Sequence, residues 1–86
     1  MFVIAIYDVH QKRVSKVRKT IKKYLHPIQR SVFEGEITES KLDALKEELL
    51  KIIDVTYDSI TIYCLESTKY SSKQQIGEIF QSQNVI

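Results

Sequence analysis

Phe2 to Tyr7 is an uninterrupted apolar run in which both alternating sets, Phe2/Ile4/Ile6 and Val3/Ala5/Tyr7, are apolar. Such a run predicts a strand covered on both faces. Val14, Val17, Ile21 and Tyr24/Leu25 then recur at helical spacing, predicting an amphipathic helix of about 14 residues that Pro27 ends. Ile28 to Ile37 has β-like apolar positions (Ile28, Val32, Phe33, Ile37) broken by polar residues and Gly35, which predicts two short strands or one strongly kinked strand. Thr38 suits the N-cap of a second helix, with Glu39 favourable in its first turn and Leu42, Leu45, Leu49 and Ile52/Ile53 as its buried stripe. Tyr57-Asp58-Ser59 turns the chain into a last core strand, Ile60 to Leu65. Glu66 to Gln75 reads as a polar loop, and Ile76 to Ile86 has room for one more short strand.

The order β-α-β-β-α-β with a tail is the ferredoxin-like arrangement of an α+β fold. Its 86 residues make one domain, with residues 1–66 as core and 67–86 as polar loop and C-terminal strand. Both helices of such a fold pack on one face of the sheet, yet Phe2–Tyr7 and much of Ile60–Leu65 are apolar on both faces. Two outcomes fit. A homodimer packed sheet on sheet about a twofold axis covers the second face, or Tyr7, Thr61 and Tyr63 tolerate partial exposure.

Composition adds little, with 43% apolar and 28% charged residues, as in ordinary globular domains. No apolar run approaches the roughly 18 residues of a membrane span, and no secretory leader pattern opens the chain. The lone Cys64 excludes an internal disulfide or a CxxC redox or zinc site. These features point to a cytoplasmic protein.

Charge changes the picture more. The net +2 conceals a basic first part, where residues 1–33 set eight Lys/Arg against Asp8 alone. Residues 34–66 set three Lys against nine acids. From Gln11 to Leu25 there are seven cations, Lys12, Arg13, Lys16, Arg18, Lys19, Lys22 and Lys23, and no anion. A domain polarised in this way presents a basic face to polyanions, unless those cations pair with the acidic second half.

Asp8 ends the first strand just before this basic helix. Two roles compete for it: N-cap of the helix, for which Asp is well suited, and divalent-metal ligand. One carboxylate makes a poor metal site, but a twofold axis near Asp8 would bring two together around a shared ion. The chemistry open to such a pair is phosphodiester hydrolysis, with Lys12, Arg13 and Lys16 near enough to hold phosphates. Lys12, Lys16, Lys19 and Lys23 form one stripe suited to backbone contact without sequence reading, while Arg18 and Lys22 lie on the other flank. His10 reads as a loop or cap residue, with a proton shuttle as the alternative. Cys64 reads as buried and inert, and Glu34 and Glu36 as solvated carboxylates of a turn at Gly35, with acids that support a site or line an interface as the alternative.

Ile6-Tyr7-Asp8-Val9, the basic helix, Ile28-Gln29-Arg30-Ser31-Val32-Phe33-Glu34-Gly35-Glu36-Ile37-Thr38, the leucine-spaced helix and Asp58-Ser59-Ile60-Thr61-Ile62-Tyr63 together resemble the CRISPR-associated adaptation protein family. This is the small, non-integrase partner in spacer acquisition. The resemblance spans residues 1 to about 65, with Ile76-Gly77-Glu78 also similar to the family's tail. It implies a ferredoxin-like homodimer in which Asp8 faces its twin, and Mg²⁺- or Mn²⁺-dependent endonuclease activity on single-stranded RNA or double-stranded DNA. It also implies an integrase partner and duplex DNA held between them. Tyr7, Asp8 and Phe33 match positions the family uses at its site, and Lys12, Arg13, Lys16, Lys19, Lys23 and Arg30 are the expected nucleic-acid contacts. The last strand, Ile76–Phe80 or Val85-Ile86, is available for exchange between subunits. One departure is Pro27, where members often carry Arg, with Arg30 instead following Gln29. The alternatives are a non-catalytic DNA-bridging scaffold and a related ferredoxin-like RNase toxin.

Overall fold

The computed structural model describes residues 1–65 and 71–77. The element order is β1 (Phe2–Asp8), α1 (Gln11–Lys22), β2 (His26–Gln29), β3 (Val32–Glu36), α2 (Glu39–Leu50), β4 (Ser59–Leu65) and β5 (Ser71–Gly77). One antiparallel sheet has the order β2-β3-β1-β4-β5. This is the ferredoxin-like sheet with one strand added at the β4 edge. Among the described residues, no helix is long and apolar enough to cross a membrane.

The helices form where the apolar spacing places them. α1 buries Val17, Thr20 and Ile21, and α2 buries Leu42, Leu45 and Leu49. Thr38 caps α2, its side chain accepting from the Lys41 amide at 3.2 Å. These stripes pack on Val3, Ala5 and Tyr7 of β1, Phe33 of β3, and Ile60, Ile62 and Cys64 of β4, all buried.

Three sequence expectations change. α1 stops at Lys22, well before Pro27, and Pro27 instead lies within the short edge strand β2. An edge strand tolerates the missing amide hydrogen, and the pairing with β3 shifts register between Pro27 and Gln29. Gly35 lies inside β3, paired with Val3, rather than in a turn, so Glu34 and Glu36 belong to a strand. A Cβ at Gly35 would approach a Leu25 methyl at 3.3 Å, so glycine leaves room for Leu25 to seal the core.

The third change concerns the polar segment. Ser71 to Gln75, read as loop, forms most of β5 and pairs with Thr61 to Leu65 of β4. Its polar sequence carries no strand pattern because backbone pairing to β4, rather than an apolar stripe, builds it. Gly77 ends it at φ +96°, where an added Cβ would lie 1.9 Å from the Asp58 carbonyl oxygen. Only glycine permits that approach. Ile76 and Gly77 pair with Ile60 and Ser59 of the same chain. The rest of the polar segment and of the proposed exchange strand, including Phe80 and Val85-Ile86, lies outside the described residues.

Candidate nucleic-acid and metal site

Strand alternation separates two neighbours that the sequence reading placed in one site. Val3, Ala5 and Tyr7 point to the helices, while Phe2, Ile4, Ile6 and Asp8 share the other face. That face carries no helix. Its rows are Val32–Ile6–Thr61, Glu34–Ile4–Tyr63 and Glu36–Phe2–Leu65, and Asp8 with Ser59 closes one end. Ile6, Tyr63 and Leu65 are each more than a third exposed there.

Asp8 itself is exposed and has no hydrogen bond or ion pair among the described residues. It does not cap α1. His10 does, its Nδ1 accepting from the Lys12 amide at 3.1 Å. The capping role thus passes two residues downstream, where helical geometry begins, and Asp8 is left free at the end of the open face.

Tyr7 and Phe33 lie on the covered face, away from Asp8's. Phe33 is fully buried, with the Tyr7 ring 6.2 Å away and the Arg18 guanidinium 5.3 Å over its own ring. The Tyr7 hydroxyl donates to the Arg30 carbonyl at 2.7 Å, and its amide donates to the Ser31 carbonyl at 3.1 Å. Arg18 Nη1 donates to the same Arg30 carbonyl at 2.7 Å. Tyr7, Phe33 and Arg18 therefore fasten the β2–β3 turn, which leaves the Arg30 side chain exposed at its tip.

The basic residues divide in a similar way. Arg13 turns inward, with Nε 2.5 Å and Nη2 3.0 Å from the two carboxylate oxygens of the fully buried Asp58. Lys23 pairs with Glu48 of α2, whose other oxygen accepts from the Tyr24 hydroxyl. That Glu48 contact holds Lys23 protonated above its ordinary range, while Lys23 and Tyr24 together hold Glu48 below the usual carboxylate range. Lys12, Lys16, Lys19, Lys22 and Arg30 are exposed and have no ion pair among the described residues. Among the described residues, the acidic second half thus takes up two of the first part's eight cations and leaves a basic face on α1.

Asp58 is the residue that local pattern could not identify. Its carboxylate accepts from Arg13, from the His10 amide at 2.9 Å and from the Asp54 amide at 2.9 Å. Burial pushes its pKa up, but the Arg13 hydrogen bond and the two amides outweigh that and bring it down to about 2. It sits directly before Ser59, the register partner of Asp8, and binds the turn that follows Asp8. One buried carboxylate thereby ties both ends of the Asp8 neighbourhood together. The sequence offered only an Asp before a strand, because two of its three partners, Arg13 and His10, lie 45 and 48 residues away along the chain.

One chain does not supply a metal centre. No group of three metal-ligating side chains occurs among the described residues. Asp8 offers a single unpaired carboxylate, and Mg²⁺ accepts one or two such groups while keeping several waters. The donor chemistry suits a hard divalent ion, and two Asp8 carboxylates brought together would suit it better than one.

This geometry has close counterparts. A family model described as CRISPR associated protein Cas2 matches residues 1–73. The CRISPR-associated endoribonuclease Cas2 of Dictyoglomus turgidum is 51% identical over 77 residues, 90% of this chain and 88% of that protein. The protein of the same name from Thermotoga maritima is 42% identical over 77 residues, covering the same shares of both chains. The crystal structure of Streptococcus pyogenes Cas2 superposes with a TM-score of 0.72 at 35% identity, over 79% of this chain and 89% of that one. With the family model matching residues 1–73 and relatives 42–51% identical over most of its length, the chain belongs to the CRISPR-associated Cas2 family.

Proposed function

We propose that this chain is a cytoplasmic CRISPR adaptation protein and a metal-dependent endonuclease acting on phosphodiesters, RNA included. It works as a homodimer through its open sheet face, beside an integrase partner and duplex DNA. The observation that carries this reading is the exposed, unpaired Asp8 carboxylate at the end of an apolar face that lacks a cover. Packing two such faces about a twofold axis buries Ile4, Ile6, Tyr63 and Leu65 and sets Asp8 of each chain near the axis. The naming of the relatives as endoribonucleases supports the same reading.

The two Asp8 carboxylates would hold Mg²⁺ or Mn²⁺. Bound there, the ion would polarise a phosphoryl oxygen and supply an acidified water as nucleophile. The chain's own residues hold the substrate. Lys12 and Lys16, exposed on the first turns of α1, are free to neutralise phosphates, and Lys19 extends that surface. Arg30 does the same from the β2–β3 turn that Tyr7 and Arg18 fasten. Phe33 acts through packing, as the floor on which Arg18 rests.

Asp8→Ala tests the reading. Metal-dependent cleavage should disappear, with dimerisation and duplex binding kept. Cleavage at the wild-type rate would overturn the catalytic assignment. A second reading, a DNA-bridging scaffold without catalysis, draws on the unpaired cations of α1. Changing Lys16 and Lys19 to Ala should flatten the dependence of duplex binding on salt by roughly two charges. An unchanged slope would remove α1 from the interface.

A further inference from the structure

Beside Asp8 lies an aromatic pair that the nuclease reading does not use. Tyr57, in the turn before β4, is 61% exposed, the most exposed large hydrophobic side chain among the described residues. The His10 ring lies 5.5 Å from it, tilted by 59°. His10 is two residues beyond Asp8, and Tyr57 is two residues before Ser59, the register partner of Asp8.

The pair stands on a hydrogen-bonded base. The Tyr57 and Asp58 amides both donate to the Asp54 carbonyl, at 2.9 and 2.7 Å. Thr56 closes the same turn through its amide and hydroxyl onto Asp54 Oδ1, at 3.0 and 2.6 Å. The Asp58 carboxylate holds the His10 amide, and the His10 ring caps α1. Both ring-bearing segments are therefore fixed by the same buried acid, so an incoming planar group need not order them. Arg13 lies within electrostatic reach of Tyr57 but is held by Asp58. Lys12, whose amide donates to the His10 ring, is exposed and without an ion pair among the described residues, with Lys16 one turn later. The acids nearby are Asp58, engaged by Arg13 and the His10 amide, Asp54, engaged by Thr56, and Asp8.

We propose that the Tyr57–His10 pair is a stacking platform for an unpaired nucleobase of a single-stranded nucleic acid, seated next to Asp8. It rests on the nuclease reading above and adds a base contact that Asp8 and the basic helix do not supply. A rigid exposed ring stacks on the face of any base, whereas a duplex keeps its base faces buried and offers only its backbone. Lys12 and Lys16 supply the complementary charge for the phosphates on either side of the stacked base. Unpaired strands thereby gain a contact that duplexes lack.

The test measures binding with metal chelated, so that it does not depend on Asp8 chemistry. The probes are a labelled single-stranded RNA of about 12 nucleotides, within the footprint usual for such sites, and the duplex of the same sequence. Tyr57→Ala should weaken single-strand binding about 5- to 150-fold and leave duplex binding unchanged. Tyr57→Phe, which keeps the ring, should bind both probes as the wild type does. His10→Asn, which keeps a good N-cap and removes the ring, should give an intermediate loss on the single strand alone. Undiminished single-strand binding by Tyr57→Ala overturns the platform, as does an equal loss on both probes, which would mark Tyr57 as structural or as a protein contact. Either result leaves the Asp8→Ala outcome untouched, and failure of Asp8 chemistry leaves this binding difference in place.

Discussion

The two faces of the sheet use similar residues for opposite ends. On the covered face, Val3, Ala5, Tyr7, Phe33, Ile60 and Ile62 meet two helices, and among the described residues no buried side-chain nitrogen or oxygen lacks a hydrogen-bond partner. On the open face, Phe2, Ile4, Ile6, Tyr63 and Leu65 have no helix over them, and Asp8 stands unpaired at the end. Tyr7 and Asp8, adjacent in sequence, fall on opposite sides of this divide. The first is fastened by its amide and its hydroxyl to the β2–β3 turn, and the second is left free. Apolar content alone does not mark a core. A strand that is apolar on both sides has one side that meets the helices and another that they leave open.

The largest effect should come from the covered face. Phe33→Ala empties the floor beneath Arg18 and should destabilise the fold by about 3–5 kcal/mol, read from the urea midpoint. It should also loosen the Arg30 turn, since Arg18 loses its ring.

The buried acid that joins the faces comes next. Asp58 has a folded pKa of about 2, below its unfolded value, so its contribution is fully present above the unfolded pKa. It falls away as pH drops from near 4 through about 2 and amounts to about 2 kcal/mol. Asp58→Asn should lower stability at neutral pH and flatten the acid limb of the stability curve over that window. A variant with the same acid limb as the wild type would show that other carboxylates govern it.

The open face should respond least in folding and most in association. Ile6→Lys should change the stability of the single chain by no more than about 0.5 kcal/mol, yet shift sedimentation from dimer to monomer. A large loss of stability without a change in mass would mean that the face already packs within one chain.

Much of this was legible along the chain. The helical stripes of α1 and α2, the cap at Thr38, the strands β1 and β4 and the buried Cys64 all follow from spacing, because burial imposes a period on residues close in sequence. The basic helix and the solitary Asp8 were visible as plain charge. β5 was not, because Ser71 to Gln75 has no apolar pattern and pairing to β4 alone makes it a strand. Nor was the fate of Arg13, which the stripe presented as a surface cation and Asp58 draws inward.

The sequence by itself determined the ferredoxin-like order, the buried stripes and the concentration of positive charge, since these depend on neighbours within a turn or a strand. Only the tertiary structure decided which cations remain free, that His10 rather than Asp8 caps α1, and that Tyr7 and Asp8 face apart. It also made Asp58 the anchor of the Asp8 turn. Those outcomes depend on groups brought together from distant parts of the chain, and a buried carboxylate selects its donors by proximity in space rather than by spacing in sequence.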